Sequence, residues 1–253
     1  MADDQRDLII KVGEYNINYS AEIGSGSFGT AYEASKCGSD DKYVAKMIKL
    51  KKQGSLRISL VTKAANEIKA LSKANHENIV NTYYFSNEIR GYACIIMEFC
   101  ELGDMQQYLN VTKNLDLLSK MKLKQQCANG LAFIHDSHII HRDLKLGNIL
   151  IAQINGTAIA KIADFGYCKL LVDSTLNEIM TTRNAGTKFY RAPEMFSQRR
   201  VPYCKSLDIF SLGLVFMVLF EYDLPNRYTV PVSGNNRNNK HKVLTKMSQV
   251  DFS

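Results

Sequence analysis

The stretch His141-Arg142-Asp143-Leu144-Lys145-Leu146-Gly147-Asn148, followed sixteen residues after Asn148 by Asp164-Phe165-Gly166, constrains this chain more than any other. Ionised Asp143 and Asp164 only accept hydrogen bonds, Lys145 carries positive charge, and Asn148 offers a carbonyl oxygen. That set suits a hydroxyl nucleophile, a phosphate and Mg²⁺, a hard cation that takes few protein ligands, all of them oxygen. Chemistry of this kind needs Asp164 back beside Asn148. The intervening residues supply the means: apolar runs at 149–152 and 158–162 flank Asn155-Gly156, a strong hairpin-turn signal.

Upstream, Ile23-Gly24-Ser25-Gly26-Ser27-Phe28-Gly29 is a glycine-rich turn. Without Cβ atoms, its N–H groups can approach phosphate oxygens. A dinucleotide-binding turn opens a helix, whereas Thr30-Ala31-Tyr32-Glu33-Ala34 continues as a strand. The expectation is a strand–turn–strand flap. Residues 44–48 form a short apolar strand carrying Lys46. In residues 60–71, Leu60, Ala64, Glu67 and Leu71 fall on one helical face. A carboxylate within an apolar stripe needs a cation, and Lys46 is the partner expected for Glu67. Strands are expected at 79–85 and 92–99, with a hinge at Gly103. Backbone groups near Glu98 and Cys100 could hold a flat heterocycle, Cys100 through its amide rather than its thiol.

Asp116 is placed to cap a helix running to about His135, with Leu118, Met121, Ala128 and Leu131 toward the core. Residues 167–186 are polar and hydroxyl-rich, the composition of a mobile segment, and 206–220 read as a buried helix with Asp208 near its start. The chain is 253 residues long, 45% hydrophobic and 23% charged, which suits a globular protein and argues against general disorder. Its net charge of +7 fits a phosphorylated ligand, but no basic block interleaved with aromatics marks a nucleic-acid surface. Six cysteines occur without a C-x-x-C pair, which suggests reduced thiols in the cytoplasm, with the nucleus as an alternative. The acidic start Met1-Ala2-Asp3-Asp4 carries no secretory signal, and the longest apolar run, 209–220, is too short for a bilayer, so no membrane partner is expected.

Taken together, these motifs resemble the eukaryotic protein kinase superfamily from about Tyr15 to Phe220, and Lys145 two residues after Asp143 looks like its serine/threonine branch. Ala192-Pro193-Glu194 and the helix carrying Asp208 match further landmarks. The resemblance implies an α+β, bilobal protein-kinase-like fold with a β-rich N-lobe containing one helix and a mainly helical C-lobe. The expected division is a leader at 1–14, N-lobe at 15–99, hinge at 100–103, C-lobe at 104–229 and polar tail at 230–253. It implies ATP and Mg²⁺ as cofactors and a protein substrate with a Ser/Thr acceptor. Ile23, Gly24, Gly26, Gly29, Ala31, Ala45, Lys46, Met97, Glu98, Cys100 and Leu150 would surround the nucleotide, with Met97 as gatekeeper. Lys46 would pair with Glu67, Asp143 accept the substrate proton, Lys145 neutralise the transferring phosphoryl, and Asn148 and Asp164 hold the metal. Arg142 beside Asp143 resembles kinases switched on by phosphorylation, for which Thr182, then Thr181, are the candidates.

Three features depart from the family pattern. Ala31 stands where valine is usual and Phe210 where tryptophan is common. After Glu194 the family continues through several helices, including an arginine that pairs with this glutamate, whereas residues 222–242 read as loop and 243–250 as at most one short helix. An incompletely covered lower lobe is therefore expected. The expected reasons are that the chain is a fragment, that a partner covers the lobe, or that the protein is marginally stable. The function expected is protein serine/threonine kinase. The alternative is a non-catalytic kinase-like nucleotide-binding or scaffold module.

Overall fold

Backbone pairing between successive short strands makes the N-terminal part a sheet. In the computed structural model, which describes residues 8–26, 29–50, 76–86, 89, 91–165, 169–170, 189–196 and 204–221, six strands lie in the order β1-β2-β3-β4-β6-β5. They are β1 Ile9–Val12, β2 Tyr15–Gly26, β3 Gly29–Lys36, β4 Lys42–Lys49, β5 Thr82–Ser86 and β6 Tyr92–Glu98. Every neighbouring pair is antiparallel. One face buries Val12, Tyr15, Ile17, Ala34, Ala45, Met47, Cys94 and Ile96 in a single cluster.

The expected leader at 1–14 is corrected here. Ile9–Val12 pairs with β2 through Val12↔Tyr15, and Val12 is buried. Gly13, at φ 61, makes the tight turn between them. A second boundary also moves. The strand expected from Ile79 begins at Thr82, because Ile79 and Val80 pair with the second half of the chain instead: Val80 N–H donates to Ile162 O and Ile162 N–H to Asn78 O.

The second half is built on helices. Asp104 and Gln107 form a capping box at the start of α1, Met105–Val111. As expected, Asp116 caps α2, Leu117–Asp136, accepting Ser119 N–H. Of the four residues expected on the core side of α2, only Leu131 is buried. Leu123, Cys127, Leu131 and Ile134 are buried, whereas Leu118 and Met121 are more than half exposed and Ala128 is exposed. The inward row begins with Lys120, itself buried, and a lysine there hid the row from a hydrophobicity reading.

Two short strands, β7 Ile139–Ile140 and β10 Lys169–Leu170, pair antiparallel. The hairpin of β8 Ile149–Ile154 and β9 Thr157–Ile162 turns through Asn155 and Gly156, at φ 50 and 75, as the Asn-Gly signal required. The third helix, α3 Lys205–Glu221, packs Leu212, Val215 and Leu219 into the main core with Leu123, Leu131, Ile134 and Leu144. Ile48, Ala93 and Ile95 of the sheet belong to that same core, which therefore spans both parts of the chain. No helix among the described residues is long and apolar enough to cross a membrane. The helix expected at 60–71, nearly all of 167–186, and residues 222–253 lie outside the described residues.

Candidate active site

The loop after β7 is held by one buried carboxylate. Asp208, in the first turn of α3 and fully buried, accepts His141 N–H through Oδ2 and Arg142 N–H through Oδ1, both at 2.8 Å. His135 Nε2 lies 2.9 Å from Asp208 Oδ2. His141 Nε2 lies 2.9 Å from Ala163 O, linking the loop to the segment before Asp164. The sequence reading marked Asp208 as a landmark but missed this role and missed His135, because Asp208 lies 66 residues from the loop and 73 from His135.

These tethers fix Asp143, which is buried at 4% exposure. Asn148 Nδ2 donates to Asp143 O at 2.7 Å and to Asp143 Oδ2 at 2.9 Å. With its amide hydrogens turned to Asp143, Asn148 keeps its carbonyl oxygen as an acceptor. Lys145 Nζ lies 3.1 Å from Asp143 Oδ2. Asp164 arrives as the hairpin signal implied: Ala163 N–H donates to Asn148 O at 2.9 Å. Asp164 itself stands at φ 63, a left-handed backbone uncommon outside glycine and found at functional sites.

From the sheet, Lys46 reaches Asp164 Oδ1 at 2.6 Å, an ion pair in which both side chains are mostly buried. Lys46, Asp143, Lys145, Asn148 and Asp164 therefore converge, although they come from both parts of the chain. Glu67, the expected partner of Lys46, and Thr181 and Thr182 lie outside the described residues.

Strand register places the remaining residues. Ala31 stands opposite Lys46, and Val44 opposite Met97. Directly opposed residues share a face of the sheet, so Ala31, Val44, Lys46 and Met97 lie on the cleft side. Ala45 does not: it is fully buried in the opposite cluster with Met47 and Ile96. The expectation for Ala45 is corrected to Val44, since neighbours along a strand point to opposite faces. Met97 and Leu150 pack against buried Val80, Cys100, Ala152 and Ala163. Burial pushes the Cys100 thiol up to about 12, so it stays neutral. The Glu98 carboxylate is engaged with Lys161 at 2.8 Å and with Asn81 N–H at 3.0 Å.

The glycine flap is the β2–β3 turn, with Gly24 opposite Ala31 and Gly26 opposite Gly29. At Gly29 a Cβ would run into the Met47 carbonyl, whereas at Gly24 and Gly26 it would meet nothing among the described residues. Ile23 is 45% exposed just before the flap.

The protein kinase domain family matches residues 17–251. Among curated relatives, the serine/threonine-protein kinase atg1 of Dictyostelium discoideum is 29% identical over 91% of this chain and 34% of its own length. Nek5 of Mus musculus, also a serine/threonine-protein kinase, is 34% identical over 90% of this chain and 33% of its own length. The serine/threonine-protein kinase pakG of Dictyostelium discoideum is 34% identical over 83% of this chain and 16% of its own length. The chain thus spans about a third or less of these relatives. With a family match over most of its length and relatives of one kind, the chain belongs to the eukaryotic protein kinase superfamily, on its serine/threonine branch.

Proposed function

We propose that this chain transfers the γ-phosphate of ATP to serine or threonine hydroxyls of protein substrates. The observation that carries the reading is the Lys46–Asp164 contact of 2.6 Å beside the Asp143–Asn148 pair. It supports the reading because a lysine cation, two carboxylates and an amide oxygen then lie together beside the glycine flap.

The donor set fits Mg²⁺. Asp164 and the Asn148 carbonyl are hard oxygen ligands, and this ion keeps waters and phosphate oxygens for the rest of its shell. When bound, it would neutralise charge on the phosphate oxygens. In this reading the chain's own residues do the positioning. Lys46 contacts the α/β-phosphates, and Met97, Val44, Ala31 and Leu150 enclose the base, held by backbone groups around Glu98 and Cys100. The Cys100 carbonyl already accepts Gly103 N–H at 3.2 Å, so its amide is the group assigned to the base. The substrate oxygen bonds to the γ-phosphorus as the bond to the bridging oxygen breaks, and its proton passes to the Asp143 carboxylate. Lys145, already 3.1 Å from Asp143, balances charge on the transferring group. The mechanism is positioning plus electrostatic stabilisation.

Regulation by phosphorylation of Thr182, or second Thr181, belongs to the same proposal, with Arg142 as the cation that would meet the new charge. Phosphopeptide mapping of active protein that finds both unmodified removes that part. The five described cysteines are free thiols, which supports a reducing compartment, the cytoplasm or nucleus. Radiolabelled ATP with a generic protein substrate tests the whole reading. Asp164→Ala should lose at least about 10²-fold in kcat while keeping a cooperative melting transition. Full phosphotransfer by that variant removes the reading. Wild-type protein that binds nucleotide without transferring phosphate points instead to a non-catalytic module.

A further inference from the structure

Lys161 has no part in the chemistry above, yet it is one of the few buried lysines among the described residues, at 4% exposure. Its Nζ lies 2.8 Å from Glu98 Oε1, at the end of β6. The other Glu98 oxygen accepts Asn81 N–H at 3.0 Å, and Glu98 N–H donates to Asn81 O at 3.0 Å. The glutamate is therefore fixed on the sheet side, and the lysine reaches it from β9.

The location gives the pair its meaning. Lys161 stands opposite Leu150 in the hairpin and three residues before Asp164. Glu98 directly follows Met97 and ends β6, two residues before the hinge at 100–103. Backbone bonds tie the hinge to the same hairpin: Leu102 N–H donates to Ile151 O at 3.1 Å, and Ile151 N–H to Gly103 O at 2.8 Å. Gln153 N–H donates to Glu101 Oε2 at 3.0 Å. The hinge and the hairpin that delivers Asp164 are stitched together by these bonds, and Glu98–Lys161 is the ion pair among them.

A buried ion pair is a poor choice for stability alone, because desolvation offsets most of the attraction and an apolar pair of like volume does as well or better. What it adds is direction, since both charges must meet at hydrogen-bond distance. We infer that Lys161–Glu98 is a positioning pair for phosphotransfer, setting the distance between the hinge that holds the base and the strand that carries Asp164. The inference rests on the nucleotide reading of the cleft. Neither side chain is required to touch ATP.

The test is steady-state kinetics of the full chain with Lys161→Met, Lys161→Arg, Glu98→Gln and the double variant Glu98→Gln/Lys161→Met, with melting curves alongside. Expected is a rise in KM for ATP of about ten-fold for each charge-removing single variant, with KM for the protein substrate unchanged. Lys161→Arg should recover most of the loss, and the double variant should be no worse than either single one. If Lys161→Met does not fold, the double variant carries the test, because it leaves no buried charge unpaired. Lowered melting temperatures with an unchanged KM for ATP would make the pair a structural brace and overturn the inference. Asp164→Ala, assayed in parallel, separates the two failures. If it abolishes transfer while the Lys161 and Glu98 variants bind ATP normally, only this inference falls; if it retains transfer, the reading of the cleft falls as well.

Discussion

The Asp208 carboxylate accepts the backbone N–H of Arg142 at 2.8 Å, joining the first turn of α3 to a loop that precedes it by 66 residues. Arg142 stands at φ 67, a left-handed conformation that an arginine holds only against a cost. The bond from Asp208, with its twin to His141, offsets that cost and fixes the backbone from which Asp143 projects.

Asp208→Asn tests this tether. An amide keeps one oxygen but turns an N–H₂ toward a backbone donor or toward His135, leaving a buried donor unsatisfied. A loss on the order of 3 kcal/mol is expected, measured by urea unfolding, together with a fall in kcat larger than any change in KM for ATP. Unchanged stability would mean that the loop holds its shape without Asp208.

How far the sequence revealed this arrangement depended on whether each signal was local. The Asn155-Gly156 turn and the Asp116 cap are short-range and were read correctly. Asp143, Asn148 and Asp164 were legible because their spacing implies the hairpin that joins them. Three features were not. Lys120 sits in the buried row of α2, so a periodicity based on apolar residues found only Leu131 of that row. Ala45 and Val44 differ only in which way a strand residue points, and the register of three strands decides that. The Glu98–Lys161 pair joins residues 63 apart through tertiary packing, which no local pattern encodes.

The cap at Asp116 predicts a pH dependence. The Ser119 backbone N–H, and after it the Ser119 hydroxyl, hold this carboxyl below its ordinary 3.8. A group with a depressed folded pKa stabilises above its unfolded pKa and loses that contribution as pH falls through the folded one. An Asp116→Asn variant keeps a side-chain oxygen that can still cap the helix, so it isolates the charge. Wild type should melt above the variant near neutral pH, and the gap should close in acid below the ordinary carboxyl value. A gap constant with pH would remove the charged cap as its cause.

Thiol chemistry separates the cysteines. Burial pushes Cys94, Cys100 and Cys127 up to about 12, so only about one in 10⁴ is thiolate at pH 8, and the thiolate is the reactive form. Cys37 and Cys204 are exposed. Iodoacetamide on folded protein at pH 8, followed by peptide mass spectrometry, should label Cys37 and Cys204 while sparing Cys94, Cys100 and Cys127, the other described cysteines. Labelling of Cys100 as fast as Cys37 would mean that the hinge opens far more than its packing allows.

Two glycines of the flap separate folding from ligand binding. At Gly29 an added methyl meets the Met47 carbonyl on the neighbouring strand, and backbone there cannot step aside cheaply. Gly29→Ala should therefore destabilise by about 1–3 kcal/mol, the range for overpacking, seen as a lower melting temperature without nucleotide. Gly24→Ala adds its methyl where no described residue lies within 4 Å. Its melting temperature should match wild type while KM for ATP rises on the order of ten-fold, because the methyl occupies the approach of the phosphates to the flap. A Gly24→Ala protein that is wild type in both measurements would mean that the phosphates lie elsewhere. One that loses stability instead would mean that the space beside Gly24 is already filled.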